Sequence, residues 1–387
     1  MKQNKIRILL VFGTRPEAIK MAPIFHALKK QNKKFDVKVC VTAQHRKMLD
    51  QVLDFFEINP EYDLDVMTEG QNLIDVSTNV MSKLEKVYCD FLPNVVLVHG
   101  DTCTSTAAAL SAFYMNIRIG HIEAGLRTFD LKSPWPEEAQ RQITAVLSDF
   151  NFAPTLLSKK NLEREGRKNI WITGNSVIDA LNFTIDKIHN NNYIQKKIIQ
   201  ELSKQYPIKS EKRYILVTGH RRESFGDGFK NICNALKIIA EKNPTIDIVY
   251  PVHLNPNVLN PVTKILGHTK NIYLLQPLSY EVFVYLMKES FFIITDSGGI
   301  QEEAPSLKKP VLVMRNTTER PEAVKDGTAK IVGTEVNTIV ESAQELITCE
   351  KTFKAIKSKQ NPYGNGDTSD QIVKIISEEI QQNEKNC

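Results

Sequence analysis

Short apolar runs of strand length alternate with longer helix-like stretches along the whole of this 387-residue chain. Residues 6–12 read IRILLVF, and similar runs recur at 37–42, 95–98, 117–121, 215–218, 246–250, 272–275, 291–295 and 310–314. Continuous apolar runs of this length suit strands buried on both faces. Between them, residues 75–91, 104–114, 229–242 and 280–288 carry helical patterns. Alternation of this kind builds parallel sheets joined by right-handed crossovers. The length implies two domains. A faint internal echo suggests that they are alike. ILLVFGTR from Ile8 resembles ILVTGHRR from Ile215, each a strand running into Gly, one residue and Arg.

Composition excludes several classes. With 42% hydrophobic and 25% charged residues this is an ordinary soluble globular chain. Its longest apolar runs are far too short to span a bilayer. Met1-Lys2 before a five-residue apolar run is not a signal peptide, so a cytoplasmic protein away from membranes is expected. Cys40, Cys89, Cys103, Cys233, Cys349 and Cys387 form no CxxC pair. That argues against a zinc ribbon or a thioredoxin-like motif and for reduced, buried thiols. The net charge of +5 fits small anionic substrates. No basic stripe with interleaved aromatics points to nucleic acid. The expected domains are residues 1–172, 173–366 and a terminal helix within 367–387. The break is marked by residues 169–175, and the last helix follows the turn cluster at 361–366.

Residues able to do chemistry gather just after the apolar runs, where open α/β sheets bind ligands. After the first, Gly13-Thr14-Arg15-Pro16-Glu17 leads into a helix. Thr14 and Glu17 have capping-box spacing, and Pro16 suits the first turn. Arg15 and Lys20 then stand near a helix N-terminus that favours anions, unless they are merely solvated cations. Asp101 follows the run 95–98 and is either catalytic or the cap of the next helix. Glu123, in HIEAGLR, is either catalytic or the partner of Arg127. Glu137 and Glu138 open a helix, where carboxylates are favoured in any case. Asp101, Glu123 and Glu137 span 37 positions; brought to one face, they could supply a base, an acid and stabilisation of a cation.

The second half repeats the arrangement. His220 sits at a strand end with Arg221 and Arg222. Asp296-Ser297-Gly298-Gly299 precedes a helix start, a backbone-amide nest suited to a diphosphate. Glu303 lies one turn further, within reach of a ribose hydroxyl. Arg320 meets substrate or holds Glu303, and residues 280–283 line a base pocket or simply pack. GxGxxG, GxSxG, a P-loop and metal-ligand clusters are missing from the sequence. NAD and metal dependence are therefore not indicated, and no cofactor, PLP included, is expected.

GTRPEAIK, GDT, HIEAGLRT, SPWPEEA, GHRRESFG, YPVHLNPNV, TDSGGIQEEAPSL and ERPEAV together resemble the bacterial non-hydrolysing UDP-N-acetylglucosamine 2-epimerases over almost the entire chain. The resemblance implies an α/β fold of two Rossmann-like domains facing a central cleft (the GT-B architecture), with the C-terminal helix crossing back to the first domain. It implies interconversion of UDP-GlcNAc and UDP-ManNAc for surface polysaccharides. UDP leaves C1, the C2 proton is lost to give 2-acetamidoglucal, and UDP adds back. By the same resemblance Arg15, Lys20, His220, Ser297, Gly298, Gly299, Glu303 and Arg320 hold UDP, and Leu278 and Phe283 lie near the uracil. Asp101, Glu123 and Glu137 manage protons and the cationic intermediate, with His220 beside them in catalysis. Which carboxylate is the base stays open. Gln44, His45 and Arg221 match a site where UDP-GlcNAc acts as activator, although Lys47 and Gly70 stand where some members carry Gln and Arg. A homodimer is implied. The alternatives are a 2-epimerase of a modified UDP-acetamido sugar, a hydrolysing epimerase, a GT-B glycosyltransferase using a UDP-sugar, or a nucleotide-sugar sensor.

Overall fold

The structure, a computed structural model, describes residues 5–43, 46–67, 70–208, 212–357 and 359–386. Its contacts divide the chain into two units, Met1–Ala180 with Tyr363–Cys387, and Leu181–Pro362. Each is built on one sheet in which every pairing is parallel.

In the first unit the strands are β1 (Ile6–Phe12), β2 (Phe35–Val41), β3 (Tyr62–Asp63), β4 (Val95–His99), β5 (Arg118–Ile122), β6 (Phe150–Ala153) and β7 (Ile170–Ile172). Their order across the sheet is β3-β2-β1-β4-β5-β6-β7. The second unit holds β8 (Tyr214–Thr218), β9 (Asp247–Pro251), β10 (Ile272–Leu275), β11 (Ile293–Thr295), β12 (Val311–Val313) and β13 (Ala329–Ile331), in the order β10-β9-β8-β11-β12-β13. The strands of the sequence echo, β1 and β8, occupy the same place: each starts its sheet and lies beside the strand where the winding reverses. In doubly wound sheets that reversal opens the crevice at the strands' carboxyl ends where ligands bind.

The long apolar runs become the central strands because both faces are covered. Leu9 and Val11 pack into a core with Val80, Leu84 and Ala108 of the helices Leu73–Phe91 and Cys103–Tyr114. Ile8, Leu10 and Phe12 point the other way along the pleat and are equally buried. In the second unit Ile215, Val217 and Ile294 share a core with Phe229, Leu236 and Ile239. Two of the strands that apolar patterning misses are interrupted ones. β6 carries the buried polar Asn151, and β13 is a sheet edge with Lys330 exposed at its centre.

The C-terminal helix Thr368–Asn386 packs against the helix Arg15–Lys30 of the first unit and buries Ile372, Val373, Ile376 and Ile380. The return of this helix to the first domain is thus observed. Among the described residues no helix is long and apolar enough to cross a membrane.

Candidate active site

In the first unit the loops after β1 and β4 flank the reversal point, and Glu17 fastens them together. The capping box between Thr14 and Glu17 forms as the spacing predicts. The Glu17 carboxylate also accepts from Gly13 N (3.1 Å), Thr14 N (2.8 Å), Thr14 Oγ1 (2.8 Å) and, across the sheet, Thr102 Oγ1 (2.6 Å). Burial pushes its pKa up, while the bonds from Thr102, Thr14 and the loop backbone pull it down. Gly13 is required for closeness alone: a Cβ there would meet Thr42 Oγ1 at 2.0 Å. Arg15 is the first residue of the helix Arg15–Lys30 and is half-buried.

Asp101 is not the cap of the next helix. Thr102 caps it by accepting from Ser105 N at 3.0 Å. Asp101 is left to accept from Arg141 Nε at 2.8 Å, and Arg141 Nη1 donates to Glu138 at 3.1 Å. One arginine therefore ties the loop after β4 to the first turn of the helix Glu137–Leu147. The two glutamates of that turn divide. Glu138 is fully buried and also accepts from Thr128 N and Phe129 N, each at 3.1 Å. Glu137 is half-buried, and its Oε2 is buried with no hydrogen-bond partner among the described residues.

Glu123 follows β5 with φ of 63°, a left-handed conformation that is uncommon outside glycine and clusters at functional sites. It pairs with Lys20, accepts from Asn175 Nδ2 at 2.8 Å, and lies 3.7 Å from His99 Nε2. Arg127, weighed above as its partner, instead forks onto Glu165 at 2.6 and 3.0 Å. His99 ends β4, and its backbone is in register with Ile122 of β5. His121 Nε2 reaches Gly100 O at 2.7 Å. These cross-links hold the Asp101 and Glu123 loops side by side. Burial pushes the imidazole of His99 down to about 3 and that of His121 to about 4, so both are neutral near pH 7. Lys20 thus reaches the Glu123 loop from the helix Arg15–Lys30.

The same construction recurs in the second unit. Asp296 follows β11, is fully buried, and accepts from the backbone of His220 (2.7 Å) and Arg221 (2.8 Å) after β8. His220 stacks on His253 with ring centroids 5.5 Å apart. The helix Gly298–Glu303 begins directly after Ser297. A Cβ at Gly298 would lie 3.7 Å from Arg221 Nη2 and 3.9 Å from Arg320 Nη2, so two guanidinium groups converge on this turn. Backbone amides and two cations suit a bound diphosphate. Arg320 also pairs with the buried Glu302. Glu303 accepts from Tyr280 Oη at 3.1 Å and is nearly buried. Leu278, just before the helix Tyr280–Glu289, is buried, and Phe283 within that helix is half-buried.

Gln44 and His45 lie outside the described residues. Arg221 Nε is buried without a hydrogen-bond partner among the described residues. Those residues include no group of three His, Cys, Asp or Glu side chains that could hold a metal. Sequence reasoning did not single out Arg141, Asn175 or Asp296 as site residues. Asp296 had a readable signal, standing at a strand end before Ser-Gly-Gly. Asn175 and Arg141 had none, because their partners are distant in sequence.

The family model for UDP-N-acetylglucosamine 2-epimerase matches residues 26–377. The Campylobacter jejuni UDP-N-acetylglucosamine 2-epimerase is 54% identical over 372 residues, which cover 96% of this chain and 97% of that one. A crystal structure of the Neisseria meningitidis UDP-GlcNAc 2-epimerase bound to UDP-GlcNAc is 51% identical, with a TM-score of 0.89 over 96% of this chain and 99% of that one. The glycosyltransferase SnogD of Streptomyces nogalater shares the fold at 13% identity and a TM-score of 0.55, over 96% and 99% of the two chains. Two Rossmann-like domains of the GT-B class are therefore what is found, and the chain belongs to the UDP-N-acetylglucosamine 2-epimerase family.

Proposed function

We propose that this chain interconverts UDP-N-acetylglucosamine and UDP-N-acetylmannosamine without hydrolysis (EC 5.1.3.14), by eliminating UDP and adding it back. The observation that carries this reading is the carboxylate set of the first unit. Asp101 and Glu123 stand on neighbouring strand-end loops, and Arg141 joins Asp101 to the turn that bears Glu137. Carboxylates placed side by side in this way can take up and return a carbon-bound proton.

The hydrogen at C2 is not acidic, because its carbon adjoins no ketone or ester. Departure of UDP from C1 makes the anomeric carbon cationic. The C2 proton then passes to a carboxylate, leaving 2-acetamidoglucal. On return, a proton is delivered to the opposite face of C2 and UDP oxygen re-forms the bond at C1. Atoms and charge balance without a cofactor. Asp101, Glu123 and Glu137 are the groups in the first unit for these proton transfers and for the cationic intermediate. Lys20 and Asn175 hold the Glu123 side chain in place. His220, Ser297, Gly298, Gly299, Glu303 and Arg320 are the groups for UDP, with Leu278 and Phe283 for the uracil, and Arg15 and Lys20 belong to the same UDP-binding set. Activation by UDP-GlcNAc through Gln44, His45 and Arg221, a homodimer, a cytoplasmic place and supply of surface polysaccharide synthesis belong to the same reading.

Proton NMR of UDP-GlcNAc with the protein in D2O tests it. Deuterium should enter C2 while the UDP-sugar stays intact and the manno epimer appears. Release of free N-acetylmannosamine would mean a hydrolysing enzyme, transfer only on adding an acceptor a transferase, and no turnover a sensor.

A further inference from the structure

Asp296 is more than a backbone clamp. Its Oδ2 is fully used, accepting from the amides of His220 and Arg221. Its Oδ1 is buried, has no hydrogen-bond partner among the described residues, and lies 3.5 Å from His220 Nδ1. A buried carboxylate oxygen left without a donor is costly. An Nδ1–H on His220 is the donor within reach. The opposite tautomer would turn a lone pair toward that oxygen. The ring stacks on His253 at an interplanar angle of 16°.

We infer that Asp296 is a positioning residue that holds His220 with its proton on Nδ1, leaving Nε2 to meet the nucleotide diphosphate. The second half of this statement rests on the reading that His220 faces UDP; the first half does not. The groups that face the imidazole are Asp296, Arg221 and His253. Burial lowers its pKa, the Asp296 carboxylate opposes that, and Arg221 and His253 add to it. The ring is therefore neutral in the free protein near pH 7, and the tautomer decides which nitrogen is an acceptor. When Nε2 takes a proton from solvent beside the diphosphate, the imidazolium is held between two anions. This is the arrangement by which a buried carboxylate orients a histidine in hydrolytic triads, applied here to a departing UDP.

Asp296→Asn separates the tautomer from the fold. The two backbone amides require an oxygen, so the side-chain amide must turn its NH2 toward His220 Nδ1. That forces the proton to Nε2. Imidazole 15N NMR on the full-length protein, with His220 assigned through His220→Gln, should show Nδ1–H in the wild type, retained with UDP bound, and Nε2–H in Asp296→Asn. Turnover of UDP-GlcNAc by Asp296→Asn should fall about 10²–10⁴-fold, the scale of one positioned proton-handling group, with little change in KM. In a His220→Gln background the same substitution should cost almost nothing further, because paired groups are non-additive. An Nε2–H tautomer in the wild type overturns the inference. So does a loss from Asp296→Asn that persists in full without His220. Should Asp296→Asn fail to fold, the wild-type tautomer decides alone. Should the wild type not turn over UDP-GlcNAc, the functional reading fails while the NMR result still judges the Asp296–His220 pair.

Discussion

At the scale of single residues, the structure sorts carboxylates that look alike in sequence. Glu137 and Glu138 are neighbours at one helix start, yet Glu138 is locked into an arginine and two backbone amides while Glu137 keeps a buried, unpartnered oxygen. Glu17 has the same chemistry as Glu123 but is consumed by the loop it organises. In the function proposed above, Asp101, Glu123 and Glu137 are the groups for proton transfer. Replacing each by its amide should spare UDP affinity, measured by calorimetry, and lower turnover about 10²–10⁴-fold. At least one amide variant should release 2-acetamidoglucal and UDP, since the step that consumes the intermediate is then slowed. Arg15→Ala should instead weaken UDP binding itself. Near-normal turnover in all three amides would reduce these acids to structural ion pairs.

At the scale of elements, both sheets use one device. A carboxylate from one loop at the winding reversal reaches the loop across it: Glu17 meets Thr102 in the first unit, and Asp296 meets the His220 backbone in the second. The central strands and their helices were legible because uninterrupted apolar runs have few other uses. Strands with a broken apolar run were not: β6 hides the polar Asn151 in the core, and β13 exposes Lys330 at its centre. The C-terminal helix was legible from the turn cluster before it, and its partner is the helix Arg15–Lys30. Ile376 is fully buried there. Ile376→Ala should cost about 2–5 kcal/mol of stability, read from urea unfolding, and a cost under about 0.5 kcal/mol, the range of neutral surface changes, would mean that this helix is not part of the fold's core.

At the scale of the whole molecule, acid should destabilise this protein earlier than its carboxylates alone would require. His99 and His121 are buried and neutral, with pKa values lowered to about 3 and about 4 from an ordinary value of 6.5. Below pH 6.5 the unfolded chain gains protons that the folded one refuses. The unfolded state then binds more protons, and stability falls as pH falls. The contribution is fully present above pH 6.5 and is lost between there and about pH 3–4. His220, also lowered, acts in the same direction. The melting temperature should hold from pH 8 to about 6.5 and decline steadily toward 4, and His121→Asn should make that decline shallower. A flat melting temperature between pH 7 and 4 would contradict the burial of these rings as neutral groups.

By itself the sequence determined the strand–helix alternation, the two similar halves, the cap of the first helix and the motifs that mark the family. These are local properties: apolar period, turn residues and capping spacing act over a few positions. Tertiary structure alone decided that Thr102 rather than Asp101 caps the next helix, that Lys20 goes to Glu123, that Arg127 goes to Glu165, and that Asn175 reaches a carboxylate 52 positions earlier. Each is a choice among several partners of the right charge. Charge attraction has no sequence period, so the choice falls to whichever group the sheet register and the helix ends bring within hydrogen-bond distance.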